Sequence, residues 1–181
     1  MILRMASPSP VTNQILAATA DNCTLVAVSG AATFKLAPAF KQAVQAARLA
    51  GSALVVVDLA DCRSLDSTFM GAIAGLTFAL RKDDVRLAEL TNRPPDAAAL
   101  LRGLGLARVL KTYAANELPP GLGDLSHLVE NLRPVESAPA DNRELAALMY
   151  DAHETLTRVD PQNLQRFKDV LAFLREDLKR F

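Results

Sequence analysis

Ala53, Leu54, Val55, Val56 and Val57 form an unbroken apolar run that stops at Asp58. A strand with no polar alternation needs cover on both faces, which is the situation of a central strand in a layered α/β domain. Helical patterns flank it in the chain. Before it, residues 34–50 place Phe40, Ala43, Val44 and Ala47 on one stripe at helical spacing, and Gly51-Ser52 ends the helix. After it, residues 68–81 repeat Phe69, Ile73, Leu76 and Leu80 at intervals of three and four.

Further strands complete the pattern. Residues 15–19 and 25–29 are short apolar runs separated by the turn dipeptide Asp21-Asn22, and they predict a hairpin that ends at Gly30. Asp83-Asp84 breaks the second helix, and residues 85–90 predict another strand. Pro94-Pro95 precedes a short Ala- and Leu-rich helix over 96–104 that closes at Gly105, and 109–113 reads as a last short strand. The order β-β-α-β-α-β-α-β predicts an α/β fold, a mixed β-sheet packed against helices. Short connections and right-handed crossovers leave few topologies for it.

Composition narrows the function. Twenty basic residues balance twenty acidic ones among 181, so no polybasic surface for nucleic acid is expected. Trp is absent and aromatics make up only 5%, which argues against base-stacking platforms. Cys23 and Cys62 offer neither a disulfide framework nor a CxxC metal spacing, and they read as small apolar residues of a reduced, cytoplasmic protein. No apolar run approaches the roughly 18 residues of a membrane span. Residues 1–10, with two prolines and no continuous apolar segment, read as a frayed leader and not a signal peptide.

The composition shifts at Pro119-Pro120-Gly121-Leu122-Gly123, a linker signal, and a second loose stretch spans 134–139. Beyond it the pattern is helical, without a strand signal. Asp141 or Asn142 can cap a helix over 143–157 with Leu145, Leu148, Met149, Ala152 and Leu156 on one stripe. Asp160-Pro161 then signals a second helix whose Leu164, Phe167, Leu171, Leu174, Leu178 and Phe181 make an apolar seam to the end. The expected organisation is an α/β domain over 13–115 and a helical C-terminal extension over 125–181 that ends in an α-helical hairpin. The hairpin packs on its own domain, or its seam meets a partner helix or a second copy, giving a homodimer.

One segment carries a functional signal. The buried strand delivers the chain through a polar loop to Asp66-Ser67-Thr68-Phe69-Met70-Gly71, where a helix opens. Residues 15–113 resemble a STAS domain, the fold of bacterial anti-sigma factor antagonists. That family's signature is a strand, a polar loop, and Asp-Ser-(Ser/Thr)-x-x-Gly at a helix start; Asp66, Ser67, Thr68 and Gly71 match it. Many members have Gly after the second hydroxyl residue. Phe69 stands there in this chain, which would set a bulky apolar group on the contact surface.

The resemblance implies that Ser67 is phosphorylated by a partner anti-sigma factor with serine kinase activity and reset by a serine phosphatase. Arg63, Asp66, Ser67, Thr68, Phe69 and Gly71 would then form the partner-binding surface. General physics makes this intelligible, because unpaired N–H groups and the dipole at a helix N-terminus favour a phosphate. The added charge of about −1.5 to −2 would change the surface without requiring a new fold. The bland alternative is that Asp66 or Ser67 is only an N-cap. A second function compatible with the resemblance is a STAS accessory subunit of a lipid or anion transport system, with Ser67 not phosphorylated.

Enzymatic chemistry is not expected. His127 and His153 lie on different segments without acidic or Cys partners, so neither a catalytic pair nor a metal site is assigned. Ser67 lacks a Gly-x-Ser-x-Gly elbow, and both histidines fall outside its segment. Gly103-Leu104-Gly105 is a helix end more than a phosphate loop. No cofactor is implied.

Overall fold

The computed structural model describes residues 12–81, 86–91, 95–113 and 123–181, with backbone only for 86–91 and 95–96. The leader over 1–10, the Asp83-Asp84 break and most of the 119–123 linker lie outside the described residues. The chain opens with the hairpin of β1 (Gln14–Ala20) and β2 (Cys23–Ala32), paired antiparallel from Gln14↔Ser29 to Ala20↔Cys23. Asp21 and Asn22 both take positive φ, 48° and 66°. A two-residue turn of that hand matches the right-handed twist of the strands, and Asp and Asn tolerate it best after Gly.

β2 does not end at Gly30. It passes through Gly30 at φ 78° and continues to Ala32, with a register shift between Gly30 and Ala31. This extension pairs in parallel with β4 (Cys62–Leu65), a strand inside what the sequence presents as a polar loop. Its polarity has a simple cause: Arg63 and Ser64 face solvent on a short edge element.

The central position of β3 (Leu54–Asp58) is as expected. It lies parallel to β2 on one side and to β5 (Arg86–Thr91) on the other. The sheet runs β5-β3-β2-β1-β6, with β4 extending from β2. Its alternate residues enter two cores. Val55 and Val57 face α1 (Ala37–Leu49) and α2 (Ser67–Arg81) with Ile15, Val26 and Val28, whereas Val56 joins Leu25, Ala18 and Leu128. Burial on both faces is what the uninterrupted valine run demanded. The predicted α1 stripe of Phe40, Ala43, Val44 and Ala47 is buried throughout.

α3 (Pro95–Gly103) ends at a left-handed Gly105, φ 72°. A 3₁₀ turn, Leu106–Arg108, follows, and of the strand expected over 109–113 the described residues keep extended bridging at Thr112 alone. Leu106 and Leu110 point into the core from this turn, and one-sided burial of that kind does not need strand geometry. Near the end of the α/β unit, α4 (Ser126–Glu130) places Leu128 over the second face of the sheet. β6 (Arg133–Pro134) adds to β1 at Leu16↔Pro134 and Ala17↔Arg133. The sequence gives no strand signal there because two residues carry no period, and a Pro suits only an edge.

The helical hairpin comprises α5 (Asn142–Val159) and α6 (Asn163–Leu178). Asp141 caps α5 in a full capping box: its side chain accepts from Glu144 N–H at 2.8 Å, and the Glu144 carboxylate accepts from Asp141 N–H at 3.0 Å. α6 begins two residues later than Asp160-Pro161 suggests. Asp160 instead accepts from Gln162 N–H at 3.0 Å and holds the turn between the helices. Along the seam, Phe167, Leu171 and Leu174 are buried, while Leu164 and Phe181 remain exposed.

The hairpin packs on its own α/β unit. Leu156, Phe167 and Leu171 belong to the same core as Phe40, Phe69 and Ile73. Phe40 meets Phe69 at a ring-centroid distance of 5.1 Å and an angle of 49°, joining α1 to α2 beneath the sheet's covered face. Phe40→Ala is expected to cost about 3–5 kcal/mol, because the cavity left between two helices and a sheet cannot close. Urea unfolding monitored by circular dichroism measures this; a loss under about 1 kcal/mol would contradict the packing described.

Candidate functional site

The segment singled out by the sequence lies where β2, β4, α1 and α2 converge. Asp66 is the hub. Its Oδ1 accepts from Phe69 N–H at 2.7 Å and so caps α2, while its Oδ2 accepts from Phe34 N–H at 3.0 Å, at the entry to α1. Its own N–H donates to the Ala32 carbonyl at 3.0 Å, at the end of β2. One carboxylate thereby fixes the N-terminus of α2 against two other elements. Of the two residues proposed as a mere cap, Asp66 holds that position.

This leaves the Ser67 hydroxyl free for another bond, and it makes one across the fold. Ser67 Oγ lies 3.1 Å from His153 Nε2, a residue 86 positions away on α5. The ring's other nitrogen, Nδ1, stands 2.8 Å from the Met149 carbonyl oxygen. A carbonyl can only accept, so Nδ1 carries the proton, Nε2 is the acceptor in the neutral ring, and Ser67 donates. His153 is buried and packs against Phe167 at 4.8 Å between ring centroids, with 59° between the planes. Phe167 thus supports the imidazole from α6 while Met149 sets its orientation from α5.

Gly71, the last residue of the sequence signature, explains how α5 comes this close. A Cβ at Gly71 would stand 2.9 Å from Ala152 Cα and nearer still to its carbonyl. Gly75, one turn on, faces the Thr155 side chain at 3.6 Å. Two glycines on one face of α2 let the helix backbones approach where any side chain would hold them apart. Between α1, α2 and α5 there remains an open groove of about 240 Å³, bordered by Lys41, Gly75, Leu148, Asp151 and Thr155.

The other expected site residues divide sharply. Arg63 is exposed on β4 beside the site. Thr68 is buried in the first turn of α2. Phe69 does not present an apolar group to a partner: it is fully buried against Phe40. The signature position that many relatives fill with Gly therefore points inward here, and a large side chain there serves the core. Of the two histidines, His127 lies on α4 near Asn131, 3.4 Å away, whereas His153 reaches Ser67. Sequence reasoning missed that pairing, since neither neighbours nor spacing link residues 67 and 153. The buried position of His153 on the apolar stripe of α5 was its one available signal. Among the described residues, no cluster of three or more His, Cys, Asp or Glu side chains is placed to hold a metal ion. Cys62 is buried, and burial pushes its thiol up from its ordinary value, so it remains protonated at neutral pH.

The match to a family is direct. Residues 15–112, just over half the chain, match the family model described as "Mlab, STAS domain". The chain belongs to the STAS domain family. Its fold is similar to the crystal structure of a Thermotoga maritima protein described as an anti-sigma factor antagonist, at 19% identity and a TM-score of 0.50, covering 55% of this chain and 86% of that one. An anti-sigma factor antagonist from Mycobacterium paratuberculosis aligns at 25% identity and a TM-score of 0.49 over 60% of this chain and 90% of its own. No curated protein matches the chain by sequence. The STAS match ends at residue 112, so α5 and α6 stand outside it. No helix among the described residues is long and apolar enough to cross a membrane.

Two substitutions test this geometry. Asp66→Ala removes the cap of α2 and the tie to Phe34, and is expected to lower stability by about 1–3 kcal/mol in denaturant titration. Gly71→Ala forces α2 and α5 apart. It is expected to cost about 1–3 kcal/mol by overpacking and to lower the thermal midpoint. If Gly71→Ala proved as stable as the native chain, the close crossing at Ala152 would be wrong.

Proposed function

We propose that this STAS protein is a non-enzymatic, protein-binding regulatory module, an anti-sigma factor antagonist switched by phosphorylation of Ser67. The observation that carries the reading is the position of Ser67 at the first residue of α2, directly after the capping Asp66. The Ser67 side chain stands where the dipole and the first-turn N–H groups favour negative charge. Its partner would be an anti-sigma factor with serine kinase activity. The unphosphorylated protein would bind that partner and release the partner's client; phosphate on Ser67 would weaken the complex, and a serine phosphatase would restore it. Arg63, exposed beside the site, and the α2 N-terminus would supply the contacts.

A second reading draws on one specific feature. Ser67 is already engaged by His153, so its hydroxyl can serve purely as an internal bond. In that case the chain is an accessory subunit of a lipid or anion transport system, unphosphorylated, that docks through its STAS domain.

The two readings separate experimentally. Mass spectrometry of the protein isolated from its own cells is expected to find phosphate on Ser67. Ser67→Ala is expected to bind the partner kinase about tenfold or more tightly than Ser67→Asp, a difference near 1.4 kcal/mol. Equal binding by the two variants defeats the switch. Recovery of transport components with unmodified Ser67 supports the second reading.

A further inference from the structure

The face of α2 that bears Ser67 and Gly71 is not open in this chain. α5 lies across it, with Ala152 against Gly71, Thr155 facing Gly75, and His153 in hydrogen-bond contact with the Ser67 hydroxyl. We propose that the α5–α6 hairpin is a displaceable cover of this face, and that closure of the cover and a negative charge on Ser67 exclude each other.

Three observations carry the inference. The first is chemical. The bond that joins Ser67 to His153 uses the hydroxyl proton, because His153 Nδ1 is committed to the Met149 carbonyl. A serine phosphate monoester has no proton on Oγ to give, so the hydroxyl bond to His153 cannot form in the phosphorylated chain. Phe167 packs on the His153 ring, and Ala152 beside it is pressed to Gly71, so closure of α5 brings the ring to Ser67. The capping carboxylate of Asp66 lies next in the chain and adds repulsion of the same sign.

The second observation is the character of the contact. Backbone and small side chains meet at Gly71 and Gly75, and a groove of about 240 Å³ remains beside them, bordered by α1 and α5. The third is how the hairpin is attached elsewhere. At the turn between α5 and α6, buried Asn163 donates to the Leu104 and Leu156 carbonyls at 3.0 and 2.9 Å, and Arg166 donates to the Gly103 carbonyl at 2.9 Å. That anchor ties the α5–α6 turn to the end of α3 through bonds that do not involve Ser67. The STAS match stops at residue 112, so the covered unit is the family's own fold and the cover is an addition to it.

The consequence for partner access rests on the proposed function: a protein that docks on the unmodified α2 N-terminus must displace α5, whereas phosphate on Ser67 lifts the cover and weakens that complex through its own charge. The closure itself is tested without any partner. Amide hydrogen exchange of the full chain is expected to show α5 amides opening while β2 and β3 stay protected, since local units exchange independently of global unfolding. Ser67→Asp is expected to speed α5 exchange by about tenfold or more relative to Ser64→Asp, which puts the same charge on the exposed neighbouring strand. Should Ser67→Asp unfold the whole chain, the unmodified protein still decides the matter. α5 amides that exchange only as slowly as those of β2 and β3 overturn the proposal. Unchanged or greater α5 protection in a folded Ser67→Asp variant also overturns it, as it would mean that His153 clamps the charge in place. An independent arm uses Gly75→Cys with Thr155→Cys. Oxidation of that pair is expected to suppress the α5 opening, and reduction to restore it. Rapid α5 exchange in the oxidised protein would place the opening elsewhere and reject the cover. A positive exchange result together with a negative kinase result would leave the cover standing and remove only the antagonist reading.

Discussion

The carboxylate of Asp66 organises the site end of this molecule. It caps α2 through Phe69 N–H and holds the entry to α1 through Phe34 N–H, while its own amide donates to the end of β2. Each bond satisfies a group that helix and strand ends leave orphaned, so one side chain settles where three elements stop and start. Because Asp66 takes the capping role, Ser67 need not. Its hydroxyl is left to point across α2 toward α5, and the rest of the site follows from that division of labour.

Phe69 and Gly71 complete the arrangement from opposite faces of the same helix. Phe69 drives the inner face into the α1 side of the core against Phe40, and Gly71 strips the outer face so that α5 can approach to backbone contact. A helix held by an aromatic on one side and bared by glycine on the other is fixed relative to the sheet and open to a close-packed partner. In this chain that partner is its own α5. That face of α2 is therefore occupied from within, and His153 on α5 meets the Ser67 hydroxyl at 3.1 Å.

Much of the fold was legible in the residues. The valine run 53–57 required a doubly covered strand, the apolar stripes of α1 and α2 supplied the cover of one face, and Asp21-Asn22 closed the first hairpin; the cover of the other face, by Leu128 of α4, was not legible. Each of these rests on local period or turn chemistry, which a single sequence carries. Short and polar elements were not legible. β4 is held by three pairs beside a glycine break, β6 by two, and of the residues over 109–113 that suggested a strand only Leu110 is buried, just after the 3₁₀ turn. Their conformation is decided by what they pack against, and nothing in their own pattern announces it.

The sequence by itself determined the α/β class, the capped helix start at Asp66-Ser67 and the helical hairpin, because these depend on residues within a few positions of each other. Only the tertiary structure decided that α5 lies on α2, that Phe69 turns inward, and that His153 meets Ser67. The last pair is separated by 86 residues, and neither residue carries a mark of the other. Their meeting depends on two glycines, a capping carboxylate and an aromatic behind the imidazole all being placed at once, a condition that exists only when the chain is folded.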